Sequence, residues 1–206
     1  MYCNKLKKNN VLIRMFNALP VGEPVDIYMD GNLIVSSLNY KDFSPYTYIS
    51  TESHKVDVYK AGTKSNPLIR TSLFLPLEQI FTLGLTGNKG EETLLTIPDD
   101  IEQMPSSNSA VGRIINLAPN IPIADVFFNN KPEVNNIDYR DQTPYAYIPP
   151  GKYTLEVKAT EDSSPITKSV FDFKSDRIYT TYIVGDQPNT QLLNSVDGNT
   201  YVCKAK

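Results

Sequence analysis

The sequence predicts an all-β protein made of two tandem immunoglobulin-like or transthyretin-like β-sandwiches. Three features lead there: an internal repeat over nearly the whole chain, closely spaced short strand signals inside each repeat, and the lack of any helical stripe.

The repeat appears when Arg14 is set over Arg113, an offset of 99. Asn17 then meets Asn116, Pro20 meets Pro119 and Asp26 meets Asp125. The strongest stretch lays Tyr40-Lys-Asp-Phe-Ser-Pro-Tyr-Thr-Tyr-Ile49 over Tyr139-Arg-Asp-Gln-Thr-Pro-Tyr-Ala-Tyr-Ile148. Its shared pattern is Y-[KR]-D-x-[ST]-P-Y-x-Y-I. After one deletion near Gly62 the offset becomes 98, pairing Ile80 with Ile178, Thr82 with Thr180, Gly87 with Gly185 and Asp99 with Asp197. The units are expected at 10–101 and 110–200, with an N-terminal extension 1–9, a polar linker 102–109 and a C-terminal tail 201–206.

Taken in order, the first unit has strand signals at 11–17, 25–29, 33–38, 46–49, 55–60, 68–75 and 79–86, all short and rich in β-branched or aromatic residues. Asp30-Gly31 and Asn129-Asn130 fall where a tight hairpin turn needs positive φ. Pro149-Pro150-Gly151 reads as a turn between strands. In the strand that follows, Tyr153, Leu155 and Val157 alternate with Thr154, Glu156 and Lys158, so one face is apolar. Segments 94–97 and 191–195 are too short to assign. About seven strands per unit is the count of an immunoglobulin-like sandwich.

Composition narrows the function. Twenty Lys and Arg stand against 23 Asp and Glu, a net charge of −3, which gives no basic face for nucleic acid. No apolar run approaches a membrane span. The opening Met1-Tyr-Cys-Asn-Lys-Leu-Lys-Lys-Asn-Asn10 has basic residues but no apolar stretch or small-residue cleavage site, so ordinary secretion is not expected.

The run Arg14-Met-Phe-Asn-Ala-Leu-Pro20, Val25-Asp-Ile-Tyr-Met-Asp-Gly31, then Tyr46-x-Tyr-Ile49 and Lys55-Val-Asp-Val-Tyr59, resembles the bacterial DUF4397 domain. The second copy carries the likeness in Ile123-Ala-Asp-Val-Phe-Phe128, Tyr145-x-Tyr-Ile-Pro-Pro-Gly151 and Tyr153-Thr-Leu-Glu-Val157. The resemblance implies an extracytoplasmic sandwich, often on bacterial surfaces, and brings no catalytic residues. The chain departs from the family pattern in its leaderless N-terminus and in Ser50-Thr51-Glu52, where the second copy has its Pro-Pro-Gly turn.

No catalytic, cofactor or metal residues are expected. His54, the single histidine, aligns with the inward-facing Tyr153 and has no second histidine or nearby cysteine to form a metal site. Ser50, Ser53 and His54 lack a G-x-S-x-G elbow, and the second copy lacks histidine. Asp99-Asp100, Glu161-Asp162 and Asp197-Gly-Asn199 fall short of a calcium loop and read as solvated turn acids. Tyr40, Tyr46, Tyr48, Tyr139, Tyr145 and Tyr147 are the repeated aromatics. They are expected to pack the core with hydroxyls at its rim, with an aromatic platform for a sugar or protein as the alternative.

Cys3 and Cys203 lie at the two ends of the chain. An end-to-end tandem is expected to hold them apart, which leaves pairing between neighbouring subunits, head to tail, into a cross-linked filament. Free thiols in a reducing cytosol are the alternative. The terminal segments 1–10 and 200–206 would then serve as connector strands for a neighbour's sheet edge. The function expected is a non-enzymatic structural protein of a bacterial cell or spore surface, with itself or other surface proteins as partner. An adhesin or carbohydrate-binding module is second. A spore protein laid down from inside the mother cell would need no leader; a cytoplasmic location is the alternative.

Overall fold

The computed structural model describes residues 4–20, 22–99 and 104–203, apart from the side chains of Asn4, Lys5 and Cys203. The described residues fall into two compact units, one of those up to 99 with 201–203, the other of 104–200.

The first unit contains β1 (Asn4–Lys5), β2 (Asn10–Asn17), β3 (Val25–Met29), β4 (Asn32–Leu38), β5 (Thr47–Ser50), β6 (Ser53–Lys60), β7 (Ile69–Phe74), β8 (Ile80–Thr86) and β9 (Thr93–Pro98). The second contains β10 (Ala110–Asn116), β11 (Ala124–Phe128), β12 (Lys131–Ile137), β13 (Ala146–Ile148), β14 (Gly151–Ala159), β15 (Pro165–Phe173), β16 (Ile178–Val184) and β17 (Gln191–Val196). A 3₁₀ turn at Gly198–Thr200 leads to β18 (Val202–Cys203).

Each unit is a sandwich of two four-stranded sheets. In the first they run β5-β2-β8-β9 and β4-β3-β6-β7; in the second, β13-β10-β16-β17 and β12-β11-β14-β15. One pair in each sandwich is parallel, and its register matches the repeat: Arg14 lies opposite Thr82, and Arg113 opposite Thr180. The Leu-Leu segments left unassigned by the sequence are β9 and β17, so each sandwich has eight strands, one more than expected.

Alternation builds both cores. Val11, Ile13 and Met15 of β2 face Val25 and Ile27 of β3, Val56 and Val58 of β6, and Phe81, Leu83 and Leu85 of β8. Each such aliphatic side chain contributes about 1.5–3 kcal/mol on burial. In the second unit Ile114, Val126, Leu155, Val157, Phe173 and Ile183 do the same.

The repeated aspartates hold irregular backbone in place. Register shifts occur in β3 against β4 and in β11 against β12. There Ser37 and Asn136 adopt positive φ, and their N–H groups donate to Asp26 Oδ1 and Asp125 Oδ1, both at 2.8 Å. The hairpin turns have the predicted geometry, with φ of 49° and 81° at Asp30-Gly31 and 49° and 67° at Asn129-Asn130.

The end segments correct the expectation about the termini. Asn4 pairs with Val202 and Lys5 with Cys203 in a parallel two-stranded sheet, so the two ends of the chain lie side by side. Val202 and Leu6 pack on Leu12, Ile80, Tyr46 and Tyr48. The segments expected to bridge to a neighbour pair with each other inside one chain because together they cover this apolar outer face of β2, β5 and β8. Cys3 and the side chain of Cys203 lie outside the described residues.

Candidate functional site

The two sandwiches carry equivalent clefts of different size. Each opens at the free edge where the two sheets part, between β4 and β5 in the first unit and between β12 and β13 in the second. The first encloses about 310 Å³ and the second about 770 Å³. Arg14/Arg113, Val35/Val134, Ser44/Thr143 and Pro45/Pro144 border both, so the location is inherited from the repeat.

The size difference follows from interior positions at which the repeat breaks. Gly112 in β10 stands where β2 has Ile13, and Thr181 in β16 where β8 has Leu83. Both first-copy residues are core side chains, and of the two only Ile13 borders its cleft, whereas both second-copy residues line theirs. A Cβ built on Gly112 would stand 2.6 Å from Ile148 Cδ1, so glycine lets Ile148 lean across β10. Thr181 donates its hydroxyl to Asn194 Oδ1 at 3.1 Å, which satisfies that polar group.

Aromatic residues wall the larger cleft. Phe128, Tyr153 and Phe173 replace Met29, His54 and Leu75 of the first copy. Their ring centroids lie 5.9–6.2 Å apart, and Phe173 meets Tyr179 edge-on at 5.1 Å. Tyr153 anchors this wall by donating its hydroxyl to Pro149 O at 2.9 Å. The mouth carries Asn129, Lys131, Glu133 and Asn135, with Lys131 paired to Glu133 at 2.9 Å.

In the first copy His54 takes over the role of Tyr153. Its Nε2 lies 3.0 Å from Ser50 O and its Nδ1 2.6 Å from Asp30 Oδ2. Both neighbours are acceptors, so only the doubly protonated ring satisfies both contacts. Burial opposes the charge, but the bonds to Asp30 and Ser50 O and the charges of Asp30 and Glu52 outweigh it, and the ring titrates above its ordinary value. The bond from His54, with that from Lys55 N, holds Asp30 below the usual carboxylate range. The geometry makes His54 a buried structural tie, as its alignment with Tyr153 predicts. Among the described residues no cluster of three or more His, Cys, Asp or Glu side chains gathers to hold a metal.

The repeated Y-[KR]-D-x-[ST]-P-Y pattern serves the fold beside the cleft. Lys41 and Arg140 take positive φ and donate their N–H groups to Asn17 O and Asn116 O. The hydroxyls of Ser44 and Thr143 accept from Met15 N at 2.8 Å and Ile114 N at 3.0 Å. Arg14 donates to Thr82 Oγ1 and lies over the Tyr46 ring, while Arg113 donates to Thr180 Oγ1 and lies over the Tyr145 ring. Tyr46 donates to Asp99 at 3.2 Å, and Tyr145 to Asp197 at 2.8 Å; these two aspartates, expected as solvated turn acids, are instead buried acceptors. Four residue types spread over more than 80 positions thus converge into one buried polar network per sandwich.

The tyrosines therefore divide. Tyr46 and Tyr145 belong to the networks, and Tyr48 packs on Leu12 and Ile80. Tyr40 and Tyr139 are half-buried beneath Lys41 and Arg140. Tyr147 alone of the six is largely exposed, at 56%. The cleft aromatics Phe128 and Phe173 were not singled out by the sequence. The signal that marks them is disagreement between the copies at interior positions, not agreement.

The family model described as "Domain of unknown function (DUF4397)" matches the chain twice, at residues 11–123 and 110–202. No curated protein sequence matches it. Among solved structures the chain is similar to one titled as CBMbc (family CBM26) from Eubacterium rectale Amy13K in complex with maltoheptaose. That pair shares 12% identity and a TM-score of 0.31, over 93% of this chain and 99% of the other. A superposition that loose assigns no residue of the cleft a role. The two matches of the family model span both sandwiches and the shared motif, and the chain belongs to the DUF4397 family as a tandem of two such domains.

Proposed function

We propose that the chain is a non-enzymatic binding module of a bacterial cell or spore surface, in which the second sandwich receives a ligand and the first is a structural copy with a narrower cleft. The observation that carries this reading is the paired cleft. One site is narrowed by Ile13 and Leu83, while its duplicate is opened by Gly112 and Thr181 and walled with aromatic rings. At about 770 Å³ it lies well inside the about 300–1,000 Å³ range of small-molecule sites, whereas the first cleft, at about 310 Å³, sits at the lower limit. Core positions in a sandwich are ordinarily filled, because a void forfeits packing energy. The surface location is carried over from the family resemblance. Binding stands ahead of end-to-end assembly because the terminal strands are engaged with each other.

The reading is tested by thermal shift against a panel of surface glycans, acyl compounds and aromatic compounds. The panel is run on the wild type and on Gly112→Ile, which restores the first-copy residue. At least one class is expected to raise the melting temperature of the wild type and not of the variant. A panel that never separates the two proteins would remove the proposal.

A further inference from the structure

Resting on the second cleft being a binding site, we infer that its ligand is a compact, uncharged, ring-bearing apolar molecule, rather than a sugar or an added peptide strand. Three observations lead to this class.

The first is that the hydroxyls of Tyr153, Thr143 and Thr181 around the cleft are already engaged within the protein. Tyr153 Oη donates to Pro149 O, Thr143 Oγ1 to Pro144 O, and Thr181 Oγ1 to Asn194 Oδ1. Asn129 Oδ1 accepts from Thr154 N. A sugar brings hydroxyl groups that must exchange water for protein partners, and each left unmatched in a buried site costs about 1–3 kcal/mol. An apolar ring makes no such demand, and Phe128 and Tyr153, packed edge-on against each other and backed by the buried Phe173, supply ring surface to the cleft.

The second is charge. Lys131 and Glu133 neutralise each other at the mouth. Arg113 is committed to Thr180 Oγ1 and the Tyr145 ring. Neither sign of ligand charge has a dedicated partner.

The third concerns the flanking edges. β12 and β13 are the end strands of their sheets, the place where an incoming strand would add. Both are guarded: β12 opens with Lys131-Pro132-Glu133, and β13 has three residues held between Pro144 and Pro149-Pro150. Short strands, charges and prolines are the devices that block strand addition. The cleft between them stays open to a small molecule.

The experiment is a ¹⁵N–¹H NMR titration of the full chain with indole and, separately, with maltose. Indole is expected to shift the amides of Gly112, Ile148 and Thr181 saturably, with at least tenfold weaker binding to Gly112→Ile. Maltose is expected to leave those amides in place. Thr181→Leu, the other first-copy residue, gives a second closed variant should Gly112→Ile fold poorly. Saturable shifts from maltose without indole binding would overturn the ligand class and leave the binding reading standing. Indole bound equally by wild type and both variants would also overturn the class assignment to this cleft. Absence of any shift with either probe would overturn both the class and the binding reading.

Discussion

Tyr145 donates its hydroxyl to the fully buried carboxylate of Asp197 at 2.8 Å, joining a residue before β13 to one after β17. Thr180 donates to the same oxygen at 2.6 Å. This contact closes the polar network on which the second sandwich depends, and the pair Tyr46 and Asp99 repeats it in the first at 3.2 Å. Tyr145→Phe removes one bond to a buried charge and is expected to lower stability by about 2 kcal/mol. Asp197→Ala is expected to cost about 3–5 kcal/mol, since it leaves its donors unmatched in the interior. Chemical denaturation of both variants and of the double variant measures the coupling. Additive effects would show that the bond carries no energy of its own.

The His54–Asp30 pair predicts a pH dependence confined to the first sandwich. The folded pKa of His54 is raised, so its contribution is fully present below the unfolded value and fades as pH rises through the folded one. The folded pKa of Asp30 is lowered, so its contribution is present above the unfolded carboxylate value and fades as pH falls through the folded one. The pair therefore stabilises most at mildly acidic pH. Asp30→Asn, the residue of the second copy, is expected to lower stability by about 1 kcal/mol near pH 6 and by less near pH 9. Urea unfolding at the two values checks this, and an equal loss at both contradicts it.

The chain's two ends support the first sandwich. Val202 covers Leu12 and Ile80 together with Leu6. Val202→Ala is expected to cost about 1 kcal/mol and to raise amide hydrogen exchange in β2 and β8. Unchanged exchange at Leu12 and Ile80 would show that the terminal sheet contributes nothing there.

The turn at Asn129-Asn130 offers a stabilising change. Asn130 holds φ at 67°, where its counterpart is Gly31. Asn130→Gly removes the side-chain penalty of the left-handed region and is expected to leave stability unchanged or raised by up to about 1 kcal/mol. A melting curve checks it, and a clear loss would show that the Asn130 side chain makes a stabilising contact.

Much of the fold was legible because the repeat compares the sequence with itself. Arg14, Asn17, Asp26, Tyr46, Thr82 and Asp99 each recur because each satisfies a backbone or buried group that the sandwich cannot leave bare. Their convergence was not legible. Arg14 meets Thr82 through a parallel pair of strands 68 residues apart, and no local pattern specifies that partner. β9 and β17 were left unassigned because the apolar segments at 94–97 and 191–195 are too short to set a period. The cleft escaped for the opposite reason. Matching residues report what the fold requires, whereas Gly112, Thr181, Phe128 and Phe173 are interior positions where the copies differ.

The difference between the two clefts is measured most directly by crystallography under xenon pressure, because xenon occupies apolar cavities without needing polar partners. A xenon atom is expected in the second cleft against Phe128 and Tyr153, and none at the equivalent position beside Ile13. Xenon density beside Ile13, or a second cleft that takes up none, would contradict it.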